Sequence, residues 1–185
     1  MLTVDRFVVQ SRWYEDWLEA RERGVTATTV AEAATASGFA SVMAAAPFGG
    51  NAFTEFGLWA ERYVMESARG EGILPNDWLI RGERPQDLGT PDGLSLDHRL
   101  IGEAKTGGTM PTSPPRKHRD QCQWNLHVVG AERCLYLFQQ RAVASDGSFY
   151  LVGLEPTTWW IDRDEKRIRE LMVVADRVME ARRGH

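Results

Sequence analysis

The stretch Gly89-Thr-Pro-Asp-Gly-Leu-Ser-Leu-Asp-His-Arg-Leu-Ile-Gly-Glu-Ala-Lys105 decides how this chain is read. It opens on a tight turn, Pro91-Asp92-Gly93, and closes on Glu103-Ala104-Lys105. Leu94 to Leu96 and Leu100 to Lys105 have the content of two short strands turning at Asp97-His98, which predicts a hairpin. Side chains alternate along a strand, so Glu103 and Lys105 point the same way and Ala104 points into the core. Leu94, Leu96, Leu100 and Ile101 suggest a sheet with one buried face. The hairpin gathers an acid at its start with an acid and a lysine at its end.

That grouping suits a hard divalent cation. Mg²⁺ or Mn²⁺ takes oxygen ligands and keeps several waters, and Asp92, Glu103 and the carbonyl of Ala104 offer three such oxygens. A bound ion of this kind acidifies a water and offsets charge building on a phosphoryl group. Lys105 stands where it can hold or deprotonate that water. Plainer readings exist for each part. Asp92 between proline and glycine fits ordinary turn chemistry, and Glu103 with Lys105 fits an exposed cross-strand charge pair. No His or Cys cluster is present, so zinc is not expected.

Outward from the hairpin, helical and strand patterns alternate. Ser11 to Arg23 reads as a helix with Trp13, Trp17 and Ala20 on one stripe and Gly24 ending it. Thr29-Val-Ala-Glu32 has the form of a capping box opening an Ala-rich helix that stops near Gly38. Pro47 to Gly50 reads as a loop, and Asn51 to Arg69 as a longer helix closed by Gly70. Ile73 to Arg81 reads as one strand. Thr106 to Pro115 is a Gly/Pro-rich loop directly after the proposed site, and Lys117 to Val129 a helix ended by Gly130. Cys134 to Gln139 and Phe149 to Leu154 read as strands, and the segment from Asp162 onward as an amphipathic closing helix. The sum is an α/β or α+β fold, a central mixed β-sheet flanked by helices, in a single domain over 1–185.

Composition sets outer bounds. The chain has 185 residues, 43% of them hydrophobic and 26% charged, enough for one sizeable core. The net charge of −4 argues against nucleic-acid binding by bulk positive charge, while leaving room for a site where metal and local cations handle phosphate. Cys122 and Cys134 make neither a disulfide framework nor a metal pair. No membrane-length apolar run and no basic-then-apolar leader is present, so the expected setting is a reduced cytoplasm.

The spacing of Asp92, Glu103 and Lys105 resembles the PD-(D/E)xK nucleases, with their restriction-endonuclease-like core. The order of flanking segments resembles the phage lambda exonuclease and YqaJ-type viral recombinase branch. Trp17-Leu-Glu-Ala-Arg21 followed by Gly24-Val-Thr-Ala-Thr28 is similar to that branch's N-terminal W…R…G…TAS segment, with Thr28 keeping the hydroxyl of the serine. Phe56-Gly57-Leu-Trp-Ala-Glu61 is similar to its helix with Gly and Glu four apart. Gln121-Cys122-Gln123 is similar to its Q-x-Q helix, and the strand and helix from Phe149 to Arg183 follow its order. The CRISPR-associated exonucleases of the same superfamily carry cysteines for an iron–sulfur cluster, and only two cysteines here argue against that branch.

The resemblance implies a Mg²⁺- or Mn²⁺-dependent 5′-to-3′ exonuclease on linear double-stranded DNA, serving phage-type homologous recombination. It implies DNA ends as substrate, a single-strand annealing protein as partner and a homo-oligomer, a trimer. It gives Glu61 a place at the metal site, Gln121 a place beside Lys105 or its water, and Arg21 and Thr28 the terminal 5′-phosphate. Two other readings stay open on the same core: a structure- or sequence-specific endonuclease, and a catalytically silent DNA-binding module. Bland readings also stand beside the assigned ones. Glu61 fits an exposed helix charge, Arg21 a solvated helix end, and Gln121 and Gln123 fall on different helix faces. Arg116, Lys117 and Arg119 either track a DNA backbone or merely flank the loop. His118 and His127 read as a surface and a packing histidine, and Trp159-Trp160 as core.

Overall fold

The computed structural model describes residues 2–44 and 52–184. In chain order these form β1 (Phe7–Gln10), α1 (Tyr14–Glu22), α2 (Ala27–Ala33), α3 (Ala36–Ala44), α4 (Ala52–Met65), β2 (Ile73–Pro75) and β3 (Trp78–Arg81). There follow β4 (Leu88–Gly89), β5 (Gly93–Ser95), β6 (Leu100–Gly107), α5 (Arg116–Val129), β7 (Arg133–Val143), β8 (Phe149–Leu151), β9 (Thr157–Asp162) and α6 (Glu165–Arg183). The expected loop at 47–50 lies outside the described residues.

A mixed sheet forms the centre. β2, β5 and β6 run antiparallel in turn, and β7 joins β6 in parallel from Leu100↔Arg133 to Gly107↔Gln140. The parallel pair needs a crossover, and α5 supplies it. The far edge of β7 pairs β9 along its first half and β8 near its end. A small antiparallel sheet, β1-β3-β4, stands apart. The expected mixed sheet flanked by helices is what the chain forms.

Both faces of the central sheet are buried, not one. Ile101, Cys134 and Tyr136 pack with Trp124 and Leu126 of α5 and Leu171 and Ala175 of α6. On the opposite face Ala104, Leu135 and Leu137 pack with Val64, Met65 and Ile73. Two-sided cover is the usual consequence of a helical crossover over parallel strands. It also explains α5, in which Asp120 to Leu126 are buried without a break.

Several local expectations change. Ile73 to Arg81 is two strands, not one, because Pro75 lacks an N–H and Asn76 turns the chain, its Nδ2 donating to Trp78 O (3.2 Å) and Pro91 O (2.8 Å). The cap of α2 is Thr26, whose Oγ1 accepts from the Thr29 N–H, while Glu32 leaves the presumed capping box to pair with Lys117. Gly38 does not stop a helix; it lies inside α3, where Thr35 Oγ1 accepts its N–H at 3.1 Å. The helix carrying Glu61 tightens into a 3-10 turn over Glu66–Glu71 and ends at Gly72, which holds φ 74°, a conformation suited to glycine.

Candidate active site

The centre of the site is an interruption in the sheet. β5 pairs with β6 only through Leu94↔Ile101 and Gly93↔Gly102. Continuing that register would set Pro91 against Ala104, and proline has no N–H to donate. The edge of β6 is therefore unpaired from here on. The Asp92 carboxylate substitutes for the missing strand, its Oδ2 accepting the Ala104 N–H at 2.8 Å. The Ala104 carbonyl faces the same edge and accepts from Lys105 Nζ at 2.9 Å. So the motif proline leaves a backbone carbonyl outside the sheet ladder, taken up by the Lys105 ammonium beside a carboxylate.

Side chains from both faces converge on this edge. Lys105 Nζ lies 2.9 Å from Glu103 Oε1, 3.2 Å from Glu61 Oε1 and 3.6 Å from Asp92 Oδ2. Glu61 arrives from α4, which packs on the Ala104 face through Val64 and Met65. Glu103 is 5% exposed, and Asn125 of α5 donates Nδ2 to its second oxygen at 3.0 Å. The centre is thus partly enclosed rather than open to solvent on all sides.

Its electrostatics follow from burial and charge count. Burial pushes the Glu103 carboxyl up to about 7, with Lys105 working against the rise and Asp92 and Glu61 reinforcing it. Glu61 is raised for the same reason and opposed by the same lysine. Burial pulls Lys105 down, but the three carboxylates outweigh it and hold the ammonium firmly protonated. Three carboxylates against one ammonium leave an excess of negative charge wanting a cation. Among the described residues no three acid, His or Cys side chains are placed to hold a metal ion together, and at this centre the Lys105 ammonium lies among the carboxylates. The donor set nevertheless fits a hard divalent cation: all oxygen, mostly carboxylate, with one backbone carbonyl outside the sheet ladder.

The remaining assigned residues divide. Gln121 lies one turn before Asn125 on α5, and its Oε1 is buried without a hydrogen-bond partner. Since α5 returns antiparallel to β6, one turn back (about 5.4 Å) sets Gln121 level with Lys105, about two strand residues (~6.6 Å) beyond Glu103. Gln123 faces away, donating to Asp162 O at 2.8 Å and accepting from the Asp164 N–H at 2.9 Å. Arg21 is no solvated helix end: its guanidinium sits 4.1 Å from the Trp17 ring centroid, and burial lowers its pKa. Thr28 is exposed in the first turn of α2. Neither Arg21 nor Thr28 forms a hydrogen bond or ion pair with the acid cluster.

Two residues near the centre were not assigned to it by sequence. Asn125 was missed altogether, although it stands four residues after Gln121 and so shares its face. His118, three before Gln121, is half-buried rather than fully exposed: its Nδ1 is 2.7 Å from the hydroxyl of buried Tyr136, the strand neighbour of Glu103. Burial, with Lys105 and Lys117 adding, draws its imidazole down to about 4. His127 packs as expected, 2.8 Å from Asp87 Oδ2. Trp159 packs against the core, whereas Trp160 lies on the outside, stacked under Arg133 at 4.6 Å.

Solved structures share this architecture. An alkaline exonuclease from Laribacter hongkongensis superposes with a TM-score of 0.67 at 20% identity, over 92% of this chain and 93% of that one. A second structure of that enzyme, in complex with dAMP, gives 0.68 at 20% identity over the same shares. A phage-related exonuclease from Haemophilus somnus 129PT gives 0.58 at 17% identity, over 84% of this chain and 79% of that one. No protein-family model matches the sequence, and no curated protein matches it. At these identities the likeness is one of fold.

Proposed function

We propose that this chain is a metal-dependent deoxyribonuclease of the phage exonuclease type, removing nucleotides 5′-to-3′ from linear double-stranded DNA. The observation that carries the reading is the meeting of Glu61, Asp92 and Glu103 around Lys105 at the unpaired edge of β6. Mg²⁺ or Mn²⁺ would be held by Asp92, Glu103 and the Ala104 carbonyl, with Glu61 assisting a second ion, and would supply an acidified water and charge neutralisation at phosphorus. Lys105, carrying its proton, aligns a water or steadies a phosphate oxygen. Asn125 fixes one oxygen of Glu103, leaving the other to face the centre. Gln121 brings a buried amide whose oxygen has no internal partner and can orient that water or Lys105. The fold it shares with two exonucleases, one of them solved with dAMP, supports an end-directed reaction releasing mononucleotides.

Arg21 and Thr28 would receive the terminal 5′-phosphate, with the Trp17 ring orienting and half-sheltering the planar guanidinium. A role in phage-type recombination, an annealing protein as partner, a trimeric assembly and a cytoplasmic setting belong to the same proposal. The test is a Mg²⁺ or Mn²⁺ assay comparing a linear duplex bearing 5′-phosphates with a supercoiled circle. The linear duplex should be consumed from its 5′ ends, and Asp92→Asn and Lys105→Ala should each abolish this. Nicking of the circle at a matching rate would replace the exonuclease reading with an endonuclease on the same core.

A further inference from the structure

α5 carries two functional faces. At 100° per residue, His118, Gln121 and Asn125 look toward Lys105, while Arg116, Arg119, Asp120 and Gln123 look the opposite way. That second face borders a groove of about 460 Å³, closed by Ile161 of β9 and by Asp164 and Arg167 at the start of α6. Asp120, 4% exposed, is fully engaged by Arg167, whose Nε and Nη2 both donate at 2.7 Å. Asp164 caps α6, its Oδ1 accepting the Arg167 N–H at 3.0 Å.

What remains is basic. Arg116 reaches Asp120 only at 3.9 Å, with its side chain 65% exposed. The Arg119 side chain forms no hydrogen bond or ion pair among the described residues. Lys117, between them, is taken by Glu32 and turned to the other side. The first turn of α5 adds N–H groups that no side chain caps, since the preceding residue is Pro115. Two exposed guanidinium groups and an uncapped helix start, beside an aspartate already paired with Arg167, make a surface for phosphate oxygens.

We propose that this groove holds the backbone of the DNA substrate outside the catalytic centre. The inference rests on the nuclease reading and adds a second anchoring point to it. A helix about 10–12 Å across separates the groove from Lys105, which at about 3.4 Å per nucleotide corresponds to about three nucleotides. The groove therefore grips DNA that a mononucleotide ester is too short to reach.

The variant Arg116→Ala/Arg119→Ala separates the two sites. Binding of a labelled 20-base-pair duplex, followed by fluorescence anisotropy in EDTA across a salt series, needs no cleavage. Loss of two phosphate contacts should lower the slope of log affinity against log salt by about 1.8, or about 30-fold in affinity at 0.15 M salt. Hydrolysis of thymidine 5′-p-nitrophenyl phosphate with Mn²⁺ should stay unchanged, and Arg116→Lys/Arg119→Lys should retain the wild-type slope. An unaltered duplex slope in the alanine variant overturns the groove. If the wild-type protein hydrolyses no phosphodiester, the nuclease reading fails instead, and the binding slope still judges the groove alone.

Discussion

Asn125 contributes one hydrogen bond, and its consequence is large because of where the acceptor sits. Glu103 is buried, and without the Asn125 amide one of its oxygens would face the interior unpaired. Asn125→Ala should cost about 1–3 kcal/mol in urea unfolding, the usual penalty for orphaning a buried polar group. It should also lower metal-dependent cleavage by freeing the Glu103 carboxylate to rotate. Unchanged stability and rate would show that Glu103 needs no such brace. His118 offers a cleaner readout: with a pKa near 4 its ring stays neutral at pH 7, and an NMR titration should show no protonation above about pH 5. A midpoint near 6.5 would mean that the ring is hydrated rather than enclosed. Asp92, Glu103 and Lys105 were legible because their spacing along one hairpin is local. Glu61 and Gln121 were reached only through resemblance, and Asn125 escaped because a buried amide on a helix has no signature until its acceptor is known.

Among the elements, α4 and β6 must approach closely enough for Glu61 to meet Lys105. Gly93 and Gly102, paired across β5 and β6, permit this. A Cβ at Gly102 would stand 2.6 Å from Met65 Sδ and 2.8 Å from its Cε, inside contact distance. Met65 lies one turn beyond Glu61 on α4. Gly102→Ala should therefore destabilise the fold by about 1–3 kcal/mol as an overpacked core does, and should shift Glu61 away from the centre. Adding Met65→Ala should recover part of the loss, so the double variant costs less than the sum of the singles. Strict additivity would show that the glycine serves something other than close approach. The long helices and the hairpin were readable because their periodicity is strong. β4 and β9 were not, since two residues carry no period and Thr157 to Asp162 alternate around exposed tryptophan. The division of Ile73 to Arg81 hinges on Asn76 reaching Pro91, a contact fifteen residues away.

Across the molecule, one charge cluster ties distant segments together. Asp87, with no exposed side-chain surface, accepts from Arg84 Nε and Nη2 at 2.8 Å and lies 2.8 Å from His127 Nε2 of α5. Arg84 extends to Asp176 of α6 at 2.8 Å, and the Asp87 segment pairs with Val25 just before α2. Burial alone would raise the Asp87 carboxyl, but the hydrogen bonds from His127 and Arg84 prevail and hold it below the ordinary carboxylate range. A depressed folded-state value contributes stability that is present above the unfolded value near 3.9 and lost as pH falls through the folded one. Thermal unfolding between pH 2 and 5 should show the wild type losing stability in that window. Asp87→Asn should be less stable by about 3–5 kcal/mol at pH 7, as for a broken buried pair, and flatter below pH 4. Equal acid profiles for the two proteins would place the acid-labile contacts elsewhere.

Pro91 ends the pairing of β5, and this has a meaning beyond the sheet. Folding tends to satisfy every backbone valence it can, and a fully zipped edge has nothing left to offer a reactant. One imino acid withholds a single backbone donor, and so turns an amide oxygen over to the lysine ammonium while the carboxylate next door keeps the strand from fraying. The candidate site begins where the backbone ladder is left one donor short.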